Sequence, residues 1–338
     1  MRLRSLRLIG CAVGAVSLLL SGCSSDSDSS SRQTIEPATA AQSPAVTTAP
    51  AGRVQPVGVP VEALAYDATT DTVAAVAEGG AALLILDARS PETPPRRIAV
   101  DGAADTVVIG KPGEALVPNE SGVARVDLAT GNVTEVETTA PARSARLLPD
   151  QGLAVGLSNG TIDIVGTDGT SSSTVSGLVS VDALAVTGDS LTALDRRQTS
   201  LTEVDVADSS LGLSLRAGQG AATLTPDHFG RMFVTDPAAN ALLVYTADSL
   251  VLRQQGPVGP GPYAVAYDDR AELAWVTVTG SNEVVAYDVS EGIPKQVRRL
   301  PTVRQPNSVT VNPATGELFV GSATDEGVQR IPTADGGR

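Results

Sequence analysis

Two adjacent arginines, Arg196 and Arg197 in the run Leu194-Asp-Arg-Arg-Gln198, are the most unusual polar feature of a chain with 24 basic and 38 acidic side chains and a formal net charge of −14. A guanidinium holds a carboxylate or phosphate through two parallel hydrogen bonds, so the pair has the makings of an anion clamp. It would serve equally as a solvated loop that pairs with nearby acids. Glu62, Glu78, Asp105 and Asp236 supply carboxylates that could hold Ca²⁺ through oxygen ligands if they converge. Arg143, Asn307 and Tyr263 add a second cation, an amide and an aromatic ring beside Gly261-Pro262. The single histidine, His228, stands in a turn-like stretch, Pro226-Asp-His-Phe-Gly230. One histidine gives no support to a triad, a haem or a histidine-ligated metal. No glycine-rich phosphate loop precedes a helix. Neither a cofactor nor a metal is expected from these residues.

The two cysteines belong to the start of the chain. Arg2, Arg4 and Arg7 precede a 13-residue apolar stretch, Leu8 to Leu20, followed at once by Ser21-Gly22-Cys23. That is the anatomy of an export signal, and it is shorter than the ~20 apolar residues of a bilayer-spanning helix. Leu20-Ser-Gly-Cys23 resembles the lipobox of bacterial lipoproteins, which implies cleavage before Cys23 and acylation of its sulfur. Residues 1–22 are then a discarded signal peptide, and the protein is held by its lipid anchor on the extracytoplasmic side of the cell membrane. More than one acyl chain gives a lasting tether.

Cleavage would remove three arginines and no acid, leaving 316 residues with 21 basic against 38 acidic side chains. A nucleic-acid partner is not expected, because such a binder carries a basic footprint. With Cys11 discarded and Cys23 acylated, no thiol remains for a disulfide, a metal site or thiol catalysis. Ser24 to Gly52 is Ser, Thr, Ala and Pro with few large apolar side chains, and it reads as a disordered linker (23–52) between the anchor and a folded domain over 53–338.

The elements that must position the candidate residues repeat. From Arg53 onward, apolar runs of about five to seven residues alternate with Gly, Asp, Asn and Pro and show no helical period, an all-β pattern. The turn closing the first strand of each unit recurs at Asp67, Gly110, Pro149, Gly188, Pro226, Asp268 and Pro313, a mean spacing of 41 residues. A four-stranded propeller blade uses that length, so seven units predict a seven-bladed β-propeller with antiparallel blades. In the sixth unit the strands read as Tyr263 to Tyr267, Leu273 to Val278, Glu283 to Asp288 and Gln296 to Leu300. The seventh has only three strands, and an open sheet edge invites aggregation. Arg53 to Val59 is the expected fourth. Asp87, Asp127, Asp205 and Asp288 end third strands, where their side chains can cap the following turns.

Trp275-Val-Thr-Val-Thr-Gly-Ser-Asn282-Glu-Val-Val-Ala-Tyr-Asp288 and Phe233-Val-Thr-Asp-Pro-Ala-Ala-Asn240-Ala-Leu-Leu-Val-Tyr245 resemble the YVTN-type β-propeller repeat, and Leu318-Phe-Val-Gly-Ser-Ala-Thr324 does so more loosely. The resemblance implies a seven-bladed scaffold, often exported, that hosts binding modules and lactonases alike. In such a ring Glu62, Asp105, Arg143, Tyr263 and Asn307 enter first strands, while Arg196 and Arg197 lie on a loop joining strands two and three. All then surround one mouth of the central channel, with His228 at the other. The expected role is a binding or scaffold module for an envelope protein or a small ligand; a lactonase-like hydrolase built from channel carboxylates and arginines is the alternative.

Overall fold

The computed structural model describes residues 33–333. The expected signal peptide (1–22), the expected lipidation site Cys23 and the following residues up to Arg32 lie outside the described residues, as do 334–338. Within them, seven four-stranded antiparallel sheets form the blades of a β-propeller. Blade 1 runs through Val61–Asp67, Thr72–Ala77, Ala82–Asp87 and Arg96–Ala99, and blade 6 through Pro262–Asp268, Leu273–Val278, Glu283–Asp288 and Lys295–Pro301. The sixth unit matches its sequence reading to within a residue or two.

Burial along each blade explains the composition. Second and third strands are sandwiched between neighbouring blades and buried on both faces, as in Leu273–Val278 and Ala82–Asp87. Their sequences are therefore nearly continuous Val, Leu and Ala in place of alternating apolar and polar residues. Fourth strands are solvated, and Ser171–Ser176 and Lys295–Pro301 are correspondingly polar. Aromatic residues fill the wider gaps between blades: Phe233 stacks on Tyr267 with ring centroids 5.1 Å apart between blades 5 and 6, and Trp275 is fully enclosed. Each such side chain contributes roughly 1.5–3 kcal/mol by leaving water. The four predicted turn caps form: Asp127 Oδ1 accepts hydrogen bonds from the Thr130 amide and hydroxyl, and Asp87, Asp205 and Asp288 accept amide hydrogen bonds in the same way.

The ring closes where the sequence predicts. Arg53–Gln55 is the outer strand of blade 7, antiparallel to Val328–Ile331, with Arg53 opposite Arg330 and Gln55 opposite Val328. Gln329, buried at the seam, joins three segments: its amide nitrogen donates to the carbonyls of Ala51 and Pro301, and its Oε1 accepts from the Val303 amide.

Residues 33–52 depart from the expected flexible coil. They contain no helix or strand but lie along the rim of one mouth. The Ile35 amide donates to the Arg197 carbonyl, Ser43 Oγ donates to the Thr279 carbonyl, Gln305 Nε2 donates to the Ala41 carbonyl, and Asn282 Nδ2 donates to the Pro44 carbonyl. A strap without a core of its own is fixed by backbone groups that the blades leave unpaired, a signal that composition does not carry. Gly261, at φ +69°, gives it room, since a Cβ there would stand 2.6 Å from the Ala41 Cβ.

Candidate channel-mouth site

The seven first strands enclose a central cavity of about 540 Å³. Its upper end, where the chain enters those strands, is lined by Glu62, Asp105, Arg143, Asp182, Tyr263 and Asn307, joined by Arg196 from the loop after Ser190–Asp195. Six of the seven candidate residues named from the sequence are therefore neighbours in one cavity. Arg197 is the exception. Consecutive side chains at a strand end point in opposite directions, so Arg197 projects to solvent outside the cavity while Arg196 turns inward. The two guanidinium groups do not form a joint clamp.

Arg196 is already engaged. Its guanidinium donates to the Ala38 carbonyl of the strap, its amide donates to Asp182 Oδ2 at 2.7 Å, and its buried Nε meets no partner among the described residues. Arg143 and Asp105 form a loose ion pair at 3.7 Å, both about half exposed to the channel. Enclosure of Asp105 by the ring raises its pKa against the opposing pull of Arg143 and Arg196. Glu62 is also raised, mainly by burial and further by Glu78, although the Gly79 amide donates to its Oε1. Its Oε2 is buried with no hydrogen-bond partner. Asn307 Oδ1 accepts from Gln305 Nε2, and Tyr263 is half-buried with its carbonyl taken up by Thr223 and Thr235. The mouth offers three carboxylates, those of Glu62 and Asp105 with raised pKa values, two arginines, a phenol and an amide.

The wider carboxylate set does not assemble as a calcium cage. Glu78 is turned away into a two-pronged pair with Arg97, whose hydrogen bond lowers its pKa. Asp236 is fully buried and accepts from the amides of Gln219, Gly220 and Ala239, pinning the loop that leads into blade 5. Asp195 does the same in blade 4 for Val179, Ser180 and Gln198. Asn240 and Asn282 repeat this latch in blades 5 and 6 by accepting from the Gly261 and Gln305 amides. His228 sits at the opposite mouth, 2.6 Å from Asp269 and beside the Phe229 ring.

One residue of the cavity escaped the sequence reading. Arg146 lines it from within the inner strand of blade 3, Ala142–Leu147, below the mouth. The available signal was an arginine at a first-strand position where other units carry Ala, Val or Thr.

No family model matches the chain, and no curated protein matches it. Solved structures do. A chain of hydrazine synthase from Kuenenia stuttgartiensis aligns over 87% of this chain and 99% of its own with TM-score 0.70 and 16% identity. A chain of the mitotic checkpoint complex gives 0.72 over 88% of this chain and 97% of its own at 13% identity. U3-55K gives 0.73 over 84% and 100% at 12% identity. At such identities the likeness shows the fold and nothing of the activity: the described residues form a seven-bladed β-propeller whose ring is closed.

Proposed function

We propose that the protein is a membrane-tethered, extracytoplasmic binding module of the YVTN-type propeller class that takes a protein or small ligand at the strapped mouth of its channel. The observation that carries this reading is the convergence of Glu62, Asp105, Arg143, Arg196, Tyr263 and Asn307 on one cavity. A cavity of that kind, apolar walls with a few convergent polar groups, is what ligand sites share. Tethering through Cys23 orients the site. The strap reaches the rim over Arg197 at Ile35, twelve residues after Cys23, an extended reach of at most about 43 Å. A tether of this length lets the strapped mouth reach membrane proteins.

Co-purification of the intact lipidated protein from its membrane tests this, comparing wild type with an Arg143→Ala, Arg197→Ala double variant. A partner that the wild type retains and the variant loses supports the mouth as the interface. A partner retained equally by both moves the interface elsewhere on the ring.

Glu62 favours a second reading, a lactonase-like hydrolase. A carboxyl group with an unpartnered buried oxygen and a raised pKa is suited to donate or accept a proton. Hydrolysis of simple lactones by the wild type, abolished in Glu62→Gln with folding intact, would establish it.

A further inference from the structure

Several enclosed arginines of this protein are paired. Arg125, Arg231 and Arg330 keep at most a fifth of their side-chain surface, and each meets a carboxylate, Glu114, Asp227 and Glu317 respectively. Arg231 is further satisfied by the Val289 carbonyl and the Tyr267 hydroxyl. Arg146 departs from this pattern, as does Arg304 with its unpartnered buried Nε, but of the two only Arg146 lines the cavity. Arg146 has neither a hydrogen bond nor an ion pair from its side chain to any described residue. Burial alone lowers its pKa to about 10, with no charged neighbour contributing. A guanidinium keeps its proton at neutral pH even so, which leaves an uncompensated positive charge inside the ring.

Its surroundings leave space for something else. Arg146 pairs across its blade with Ala154 as Ala65 pairs with Ala74, Ala266 with Trp275 and Thr310 with Phe319. Arg146 is the one charged side chain among these four, and its companions are small and line the same cavity. Thr310, on blade 7 across the channel, is half-buried and has no side-chain hydrogen-bond partner among the described residues. An enclosed charge without a partner is costly, and the cost is removed when a counter-ion with matching geometry arrives. Guanidinium matches a planar or tetrahedral oxyanion through two parallel bonds.

We infer that the channel holds a small oxyanion, a carboxylate or phosphate group, on Arg146, with the mouth above it as the entrance. This rests on the reading of the channel as a ligand site but concerns residues below the rim. A ligand with an anionic end on Arg146 and a neutral or cationic end among Glu62 and Asp105 suits the charge order along the channel.

The test is calorimetric titration of the full chain with acetate and, separately, inorganic phosphate, at ionic strength held constant with potassium chloride, for wild type, Arg146→Met and Arg146→Lys. Saturable one-to-one binding of either anion to the wild type is expected, lost in Arg146→Met. In Arg146→Lys, which keeps the charge without the fork, binding should be weaker by about tenfold. The anion that binds more tightly identifies the group. Bound anion should also raise the thermal midpoint of the wild type and not that of Arg146→Met. Absence of saturable binding by both anions, or equal affinity in wild type and Arg146→Lys, overturns the inference, and the lysine variant keeps the test decisive should the methionine variant not fold. Partner capture retained in Arg146→Met with anion binding lost separates this inference from the mouth interface; the reverse pattern in the Arg143→Ala, Arg197→Ala variant shows the interface failing while the anion site stands.

Discussion

At the scale of single residues, the same side-chain chemistry does different work according to what surrounds it. Asp236 and Glu62 both belong to loops or strand ends at the same mouth. Three backbone amides consume the acceptor capacity of Asp236, whereas one oxygen of Glu62 has no donor. Asp236→Ala therefore strands three amides, that of Gly220 buried, and should lower stability by about 1–3 kcal/mol, read as a shift in the denaturant midpoint at unchanged slope. Glu62→Gln should act in the opposite direction. A carboxyl whose folded pKa is raised opposes folding above that value, and stability is gained as pH falls through it, so the glutamine variant is expected to be the more stable at pH 7 and to lose this part of the pH dependence. Asp67 has the reverse sign. Burial raises its pKa, but hydrogen bonds from the Thr70 hydroxyl and amide and the Gly113 amide of blade 2 outweigh it, and the net shift is downward. Its contribution is present above the ordinary carboxyl value and disappears as pH falls through the lower folded value, so Asp67→Asn should flatten the acid limb of the stability profile measured between pH 2 and 5.

Among the elements, strands and blades were legible because their signals are local. Val, Leu and Ala runs, Gly and Asp at turns and a repeat near 41 residues located all seven blades, and even the partnership of Arg53–Gln55 with the last blade followed from counting three strands where four are needed. The strap was not legible. Residues 33–52 are held by main-chain carbonyls and amides meeting Gln305, Asn282 and Arg196, and no composition signal reports that a distant loop has unpaired groups at the right height. Arg146 was passed over for a related reason. A first strand presents its edge to the channel, so neither strand face nor periodicity distinguishes a channel-lining position from a blade-core one. Two deletions separate the elements' roles. Removing 53–60 takes away the outer strand of blade 7 and exposes the edge of Val328–Ile331, and no cooperative thermal transition is expected. Removing 33–50 leaves Ala51 and the Gln329 clasp in place, and a cooperative transition should persist at a moderately lower midpoint.

For the whole molecule, the architecture separates stability from recognition. Blade cores of Val, Leu, Ala and a few aromatic residues hold the ring, the seam at Gln329 closes it without a disulfide, and polar variety is concentrated on the channel and its strapped mouth. Three solved structures cover 84–88% of the chain at 12–16% identity, so the likeness carries the scaffold and nothing of the site. That division is the reason function must be argued from the cavity and not from the fold. The central claim, recognition at the strapped mouth, is tested most directly by site-specific photo-crosslinking in the native membrane. A photoreactive residue is placed in turn at Glu120 on the mouth's rim, at Val297 on the exposed outer strand of blade 6 and at Phe229 at the opposite mouth. Adducts from position 120 and none from 297 or 229 are predicted; adducts confined to 297 or 229 would contradict it.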